Sequence, residues 1–163
     1  MDAGTQGETG PEFGKLPASF EVLDFLPESV FVVAVEAHGV RPRFHWVFAN
    51  SAWRETLKLE PGEALRAEPA DHLEPERAAR HLAHYARALR DGAPVRFEER
   101  AGRANRLFAY EISPVRDIAG LCSHLIVVVH DETERRAVEA QLLYQSRHDT
   151  LTGLPNRVLL VER

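Results

Sequence analysis

The sequence predicts an α+β domain: a β-hairpin, a helical block, a three-stranded antiparallel meander, and a helix leading out of the last strand. Three observations carry this. Two β-branched runs joined by a Gly and Pro turn come first, a block of helical spacing follows, and three strands linked by short Gly-containing loops complete the order. The composition agrees: 163 residues, 44% hydrophobic and 28% charged, are enough for one core without disulfides or metals.

Residues 1–19 are rich in Gly, Pro, Thr and Glu and hold few large apolar side chains, so burial cannot offset the entropy of ordering them. They are expected to form a disordered leader. In FEVLDFL, Phe20, Leu23 and Leu26 recur every three residues on one helical face before Pro27, which predicts a short docking helix. SVFVVAVEA, Ser29 to Ala37, is almost wholly apolar, as a central strand buried on both faces would be. RFHWVFAN, Arg43 to Asn50, completes a hairpin through a loop containing Gly39 and Pro42.

Helical spacing begins at Asn50. Asn50 or Ser51 supplies an N-cap, Trp53 and Leu57 stand at i and i+4, and Pro61-Gly62 breaks the run. After Pro75 a longer helix places Ala79, Leu82, Ala86 and Leu89 on one stripe, with Gly92 as its stop. Three strands follow. Val95 and Phe97 alternate with Arg96 and Glu98, Phe108, Tyr110 and Ile112 share a face, and SHLIVVVHD is nearly all apolar. Loops at Gly102 and at Asp117 to Gly120 make them an antiparallel meander.

Composition excludes several functions. Twenty Lys and Arg against 25 Asp and Glu give a net charge of -5, and no basic stripe gathers to neutralise phosphates, so nucleic acid is not an expected partner. Cys122 is the single cysteine, which excludes an internal disulfide and suits a reducing compartment. No apolar run approaches the roughly 18 residues of a membrane span, and the leader lacks the marks of a signal peptide, so the expected location is the cytoplasm. No zinc spacing, P-loop, GxGxxG or nucleophilic triad is present, and no catalytic residue is assigned.

From Ser29 to Thr133 the chain resembles a PAS domain. The residues that carry the likeness are Asn50 between the second strand and a helix, the run LRDGAPVRFEER, and VVVHDETERRAVEAQL, whose Asp131 and Thr133 match the Asp-x-Thr turn that ends the last PAS strand. The resemblance implies a PAS fold, a five-stranded antiparallel sheet of order 2-1-5-4-3 with helices over one face, and a sensory role, with residues 20–132 as the domain and 133–148 as a signalling helix. Independently of the family, Asp131 suits the positive end of that helix, and Glu134 is placed to close a capping box. The helix, about 24 Å long for 16 residues, carries only a fragment of an apolar seam at Val138 and Leu142. It is read as a connector that pairs with its twin in a homodimer.

The stretch HDTLTGLPNR resembles the start of a GGDEF domain, the diguanylate cyclase family: Asp149, Leu151, Thr152, Gly153, Leu154, Asn156 and Arg157 match in register. Residues 149–163 are thus expected to be the opening of an output domain that partners the sensor, and the protein a bacterial diguanylate cyclase under PAS control. The Gly-Gly-Asp/Glu-Glu-Phe turn is absent from these 163 residues, so they are not expected to make cyclic di-GMP by themselves.

A PAS sensor implies a pocket between the inner sheet face and the helices, for which the candidates are Phe31, Val33, Phe48, Trp53, Leu57, Leu82, Tyr85, Phe97, Phe108, Tyr110, Ile126 and Val128. The same residue types are ordinary core, and a ligand-free dimerisation module is the alternative. Periodicity does not assign the faces of the two wholly apolar strands. The cofactor is unknown, a small organic ligand being one expectation and haem another: His81 falls near the position from which haem-binding PAS domains supply their iron ligand. On the helical wheel, however, His81 stands about 110° from the apolar stripe, which predicts a solvated or pocket-edge side chain. Asp131, Thr133 and Glu134 are the expected transmission residues.

Overall fold

The computed structural model describes residues 18–36, 41–58 and 68–148. Strands β1 (Ser29–Glu36), β2 (Arg43–Ala49), β3 (Val95–Ala101), β4 (Arg106–Arg116) and β5 (Cys122–Asp131) form one antiparallel sheet of order β2-β1-β5-β4-β3. Helices α1 (Ser51–Leu57), α2 (Pro69–His72) and α3 (Pro75–Asp91) lie between β2 and β3, and α4 (Thr133–Arg147) leaves the end of β5. This is the architecture and strand order that the sequence resemblance implied. The expected leader up to residue 17, the Pro61-Gly62 break and the GGDEF-like stretch from Asp149 lie outside the described residues.

Each strand is two-sided, and register decides what each face holds. The side facing α1 to α3 carries Phe31 and Val33 from β1, Phe44 and Trp46 from β2, Val95 from β3, Phe108, Tyr110 and Ile112 from β4, and Leu125, Val127 and Val129 from β5. A register shift between Val32 and Val33 sets Val32 opposite Phe48 but Val33 opposite Trp46. Phe48 therefore shares Val32's side, as does Ile126, which pairs with Val32, and Val128, which pairs with Val30. Three expected pocket residues, Phe48, Ile126 and Val128, are thus corrected to the outer face. For Phe48 the cause is the bulge, which breaks the alternation that Phe44 and Trp46 begin; for Ile126 and Val128 it is a strand apolar on both sides, where alternation does not reveal which side faces the helices.

The segment before β1 is a 3₁₀ helix, Ala18–Phe25, rather than an α-helix. Phe20 and Leu23 are half-buried, whereas Leu26, expected on the same face, is 40% exposed. Phe20 meets the ring of His124 on β5 at 5.7 Å.

Helix α3 corrects a second expectation. Its buried residues are Ala78, His81, Tyr85 and Ala88, one position before the stripe read from the sequence; Ala79 is exposed, and Leu82, Ala86 and Leu89 flank the contact. Building the stripe on Ala and Leu positions alone displaced it, because His81 and Tyr85 present ring surface to the core.

The helix stops as expected at Gly92, whose φ of 61° lies in the left-handed region and whose N–H donates to Ala88 O at 3.0 Å. A Cβ there would stand 2.2 Å from Nη2 of Arg116, the movable end of a long side chain, so most of the cost is backbone strain. Gly92→Ala is expected to destabilise the domain by about 1 kcal/mol in urea unfolding without altering its sheet.

Candidate functional site

A cavity of about 140 Å³ opens where α1, α3 and the β3–β4 turn meet, lined by Trp53, Thr56, Leu57, Arg77, Ala101, Gly102, Arg106, Phe108 and Tyr110. Of the expected pocket residues it gathers Trp53, Leu57, Phe108 and Tyr110. Phe31, Val33 and Tyr85 are buried in the surrounding core, with Leu82 and Phe97 packed against it. A broader trough of about 500 Å³ crosses the outer face beside Arg96, Glu98, Glu111, His130 and Glu132. Its lining mixes both signs of charge on largely exposed side chains, as the relief of an open sheet face would.

Most of the space between helices and sheet is filled by rings. Phe31 stacks on Trp53 at 5.1 Å, Trp53 meets Tyr110 edge-on at 6.5 Å, and Tyr110 stacks on Phe97 at 4.7 Å. The cavity is what this packing leaves at one end. Trp53 is 2% exposed, and its indole N–H has no acceptor among the described residues. A buried donor of that kind carries an unrecovered desolvation cost unless something else accepts from it.

Behind the cavity wall sits a charged cluster that the sequence reading missed. Glu99 on β3 is 9% exposed; its Oε1 accepts from Nε of Arg77 at 2.7 Å and lies 2.8 Å from Nε2 of His81. Arg77 also donates from Nη2 to the Tyr110 hydroxyl at 2.9 Å. Burial alone would push the Glu99 carboxyl up, but the bonds from His81 and Arg77 outweigh it and hold it at about 2. Burial pushes the Tyr85 and Tyr110 phenols up, so both remain neutral. The signal for Glu99 was parity: it shares the inward phase of Val95, Phe97 and Ala101.

His81 is therefore corrected from the helix surface to the core, at 2% exposure. The polar partner that makes this burial affordable comes from β3, which a helical wheel does not contain. With Nε2 on Glu99, only Nδ1 of His81 lacks a partner among the described residues. Among the described residues, no group of three or more His, Cys, Asp or Glu converges as a metal site.

At the other side of the cavity, Arg106 links it to the outgoing helix. Its guanidinium lies over the Phe108 ring, 5.4 Å from the centroid, and donates through Nη2 to Oδ2 of Asp131. Asp131 Oδ1 accepts from the Thr133 N–H at 3.0 Å, Thr133 Oγ1 accepts from the Leu107 N–H at 2.8 Å, and the Glu132 N–H donates to Leu107 O at 2.8 Å. Burial pushes the Asp131 carboxyl up, but its bonds to Thr133 and Arg106 together outweigh this, and the net direction is downward. The cap differs from expectation. Glu132, not Asp131, holds the N-cap position, with no side-chain cap bond, so the expected capping box through Glu134 does not form. Asp131 and Thr133 instead tie the helix start to the first residues of β4.

Nothing on α4 is buried, and Val138, Leu142, Leu143 and Tyr144 are each at least half exposed. Among the described residues no helix is long and apolar enough to cross a membrane.

The fold is found in solved signalling proteins. The PAS domain of Bordetella pertussis BvgS matches with a TM-score of 0.59 and 18% identity, over 76% of this chain and 90% of that one. A sensory box sensor histidine kinase from Vibrio cholerae matches with a TM-score of 0.50 and 16% identity, over 68% and 83%. An RNA-binding Light-Oxygen-Voltage receptor matches with a TM-score of 0.55 and 22% identity, over 84% of this chain but 40% of that one. At these identities the likeness is one of fold. No curated protein matches the chain. Residues 26–137 match the family model described as the PAS fold, and the chain belongs to that family.

Proposed function

We propose that this chain is the sensory part of a bacterial cytoplasmic signalling protein, whose inner cavity controls α4 and, through it, a C-terminal GGDEF output that makes cyclic di-GMP. The observation that carries this reading is Arg106: it lines the cavity and is ion-paired with Asp131, the residue that holds the first turn of α4. Whatever enters the cavity meets a side chain on which the helix start depends. The output half of the reading rests on the match of Asp149 to Arg157 to the GGDEF opening. The exposed seam at Val138 and Leu142 supports pairing of α4 with its twin in a homodimer.

Transmission requires an occupant that favours one arrangement of Arg106 over another; one that bound both equally would shift nothing. Arg106 is about half exposed, so its pair with Asp131 is partly screened. Arg106→Gln is expected to speed amide exchange at Thr133 and Arg136, whose N–H groups donate to Asp131 and to Glu132 O, by about two- to fivefold, leaving β1 protection unchanged. Unaltered exchange in that turn would remove the link between cavity and helix.

A further inference from the structure

We propose that the inner cavity takes a small organic monoanion, an aromatic or branched carboxylate of about ten non-hydrogen atoms or fewer, whose carboxylate competes with Asp131 for Arg106. The inference deepens the sensor reading and rests on it. Size is the first argument. A cavity of 140 Å³ is close to the roughly 150 Å³ of apolar cavities that admit benzene, so nucleotides and haem are too large for it as it stands.

Donor chemistry is the second. Two guanidiniums, Arg77 and Arg106, line the cavity, whereas the carboxylates that balance them, Glu99 and Asp131, do not. Arg77 uses Nε and Nη2 on Glu99 and Tyr110, and its Nη1 has no hydrogen-bond partner among the described residues. Among the described residues, Arg106 uses only Nη2 as a side-chain donor, to Asp131. A guanidinium is a planar fork with five donors that suits a carboxylate edge, and charge-assisted bonds of this kind are the strong ones. Trp53 adds a buried indole N–H lacking an acceptor, and the faces of Phe108 and Tyr110 provide apolar walls for the ligand's body.

The two anchors differ in what they can give. Arg77 is 19% exposed and tied to the Glu99 cluster, so it is a fixed donor. Arg106 is 50% exposed and, among the described residues, its guanidinium is tied only to Asp131 and the Phe108 ring, so it is free to turn inward. An anion that recruits it leaves Asp131 with the Thr133 amide alone and loosens the tie between β4 and α4.

The test is a thermal-shift and calorimetry panel on the whole chain with benzoate, phenylacetate, isobutyrate and isovalerate, each beside its neutral amide. At least one acid is expected to bind ten times or more tightly than its amide, with affinity falling between low and high salt, and Arg106→Met is expected to remove that preference. Equal binding of an acid and its amide would overturn the anion class while leaving a ligand-binding sensor in place. Binding of none of the eight compounds, with the Trp fluorescence unchanged, would overturn both the anion and the ligand-sensor reading.

Discussion

Asn50→Asp is expected to unfold at a lower temperature than Asn50→Ala at pH 7, and both far below the parent chain. Asn50 is fully buried, and its side chain joins three parts of the fold. Oδ1 accepts from the Val30 N–H on β1 at 2.9 Å and from the Trp53 N–H in the first turn of α1 at 3.0 Å. Nδ2 donates towards the carbonyls of Leu23, Leu26 and Glu28 at 3.2, 3.3 and 2.7 Å, closing the 3₁₀ segment onto the sheet. Alanine orphans buried backbone groups and removes the cap, a loss of about 3–4 kcal/mol, or a fall of roughly 15–25 °C in Tm for a domain of this size. Aspartate keeps the acceptor but replaces the donor with a negative oxygen facing three carbonyls. Its folded-state pKa would be raised, so the variant should regain stability as pH falls towards 4 and overtake alanine there. An aspartate variant as stable as alanine at pH 7 would show that the three carbonyls are not held by this amide.

Glu99→Ala is the second large effect, expected at about 3–5 kcal/mol, because it leaves the Arg77 guanidinium inside the fold without its counter-charge and the buried Nε2 of His81 without its partner. The same cluster sets a pH dependence. With its ordinary value at 4.5 and its folded value at about 2, Glu99 contributes stability that is complete above about pH 4.5 and is lost as the pH falls towards 2. The amount is on the order of 3 kcal/mol. Urea midpoints taken every half unit from pH 6 to 2.5 should fall more steeply for the parent than for Glu99→Gln. Parallel curves would contradict the reading of Glu99 as a carboxylate held ionised by its neighbours.

Element order was legible because each segment announces itself locally: branched runs for strands, Gly92 and Pro75 for the limits of α3, and Asn50 for the cap of α1. What was not legible depends on partners distant in sequence. Nothing near Asn50 reveals that its amide serves carbonyls 22 to 27 residues earlier. His81 looked solvated because its partner Glu99 is 18 residues away on another element. Ile126 and Val128 were indistinguishable from Leu125 and Val127 until pairing with β1 assigned the faces. Arg106 could have been found, since it continues the alternation of Phe108 and Tyr110 by two residues. Charge read as exposure concealed it, as it concealed Glu99.

The central claim, that an inner-cavity side chain governs how α4 engages its twin, is tested most directly by disulfide trapping of Leu142→Cys in a Cys122→Ala background. Leu142 is 61% exposed on α4 and well separated in sequence from Arg106, so a change in its cross-linking reports transmission along the helix. The account predicts efficient cross-linking between copies, with a rate that Arg106→Gln changes by about threefold or more and that Arg103→Gln on the neighbouring turn leaves unchanged. Equal rates for all three proteins would contradict it.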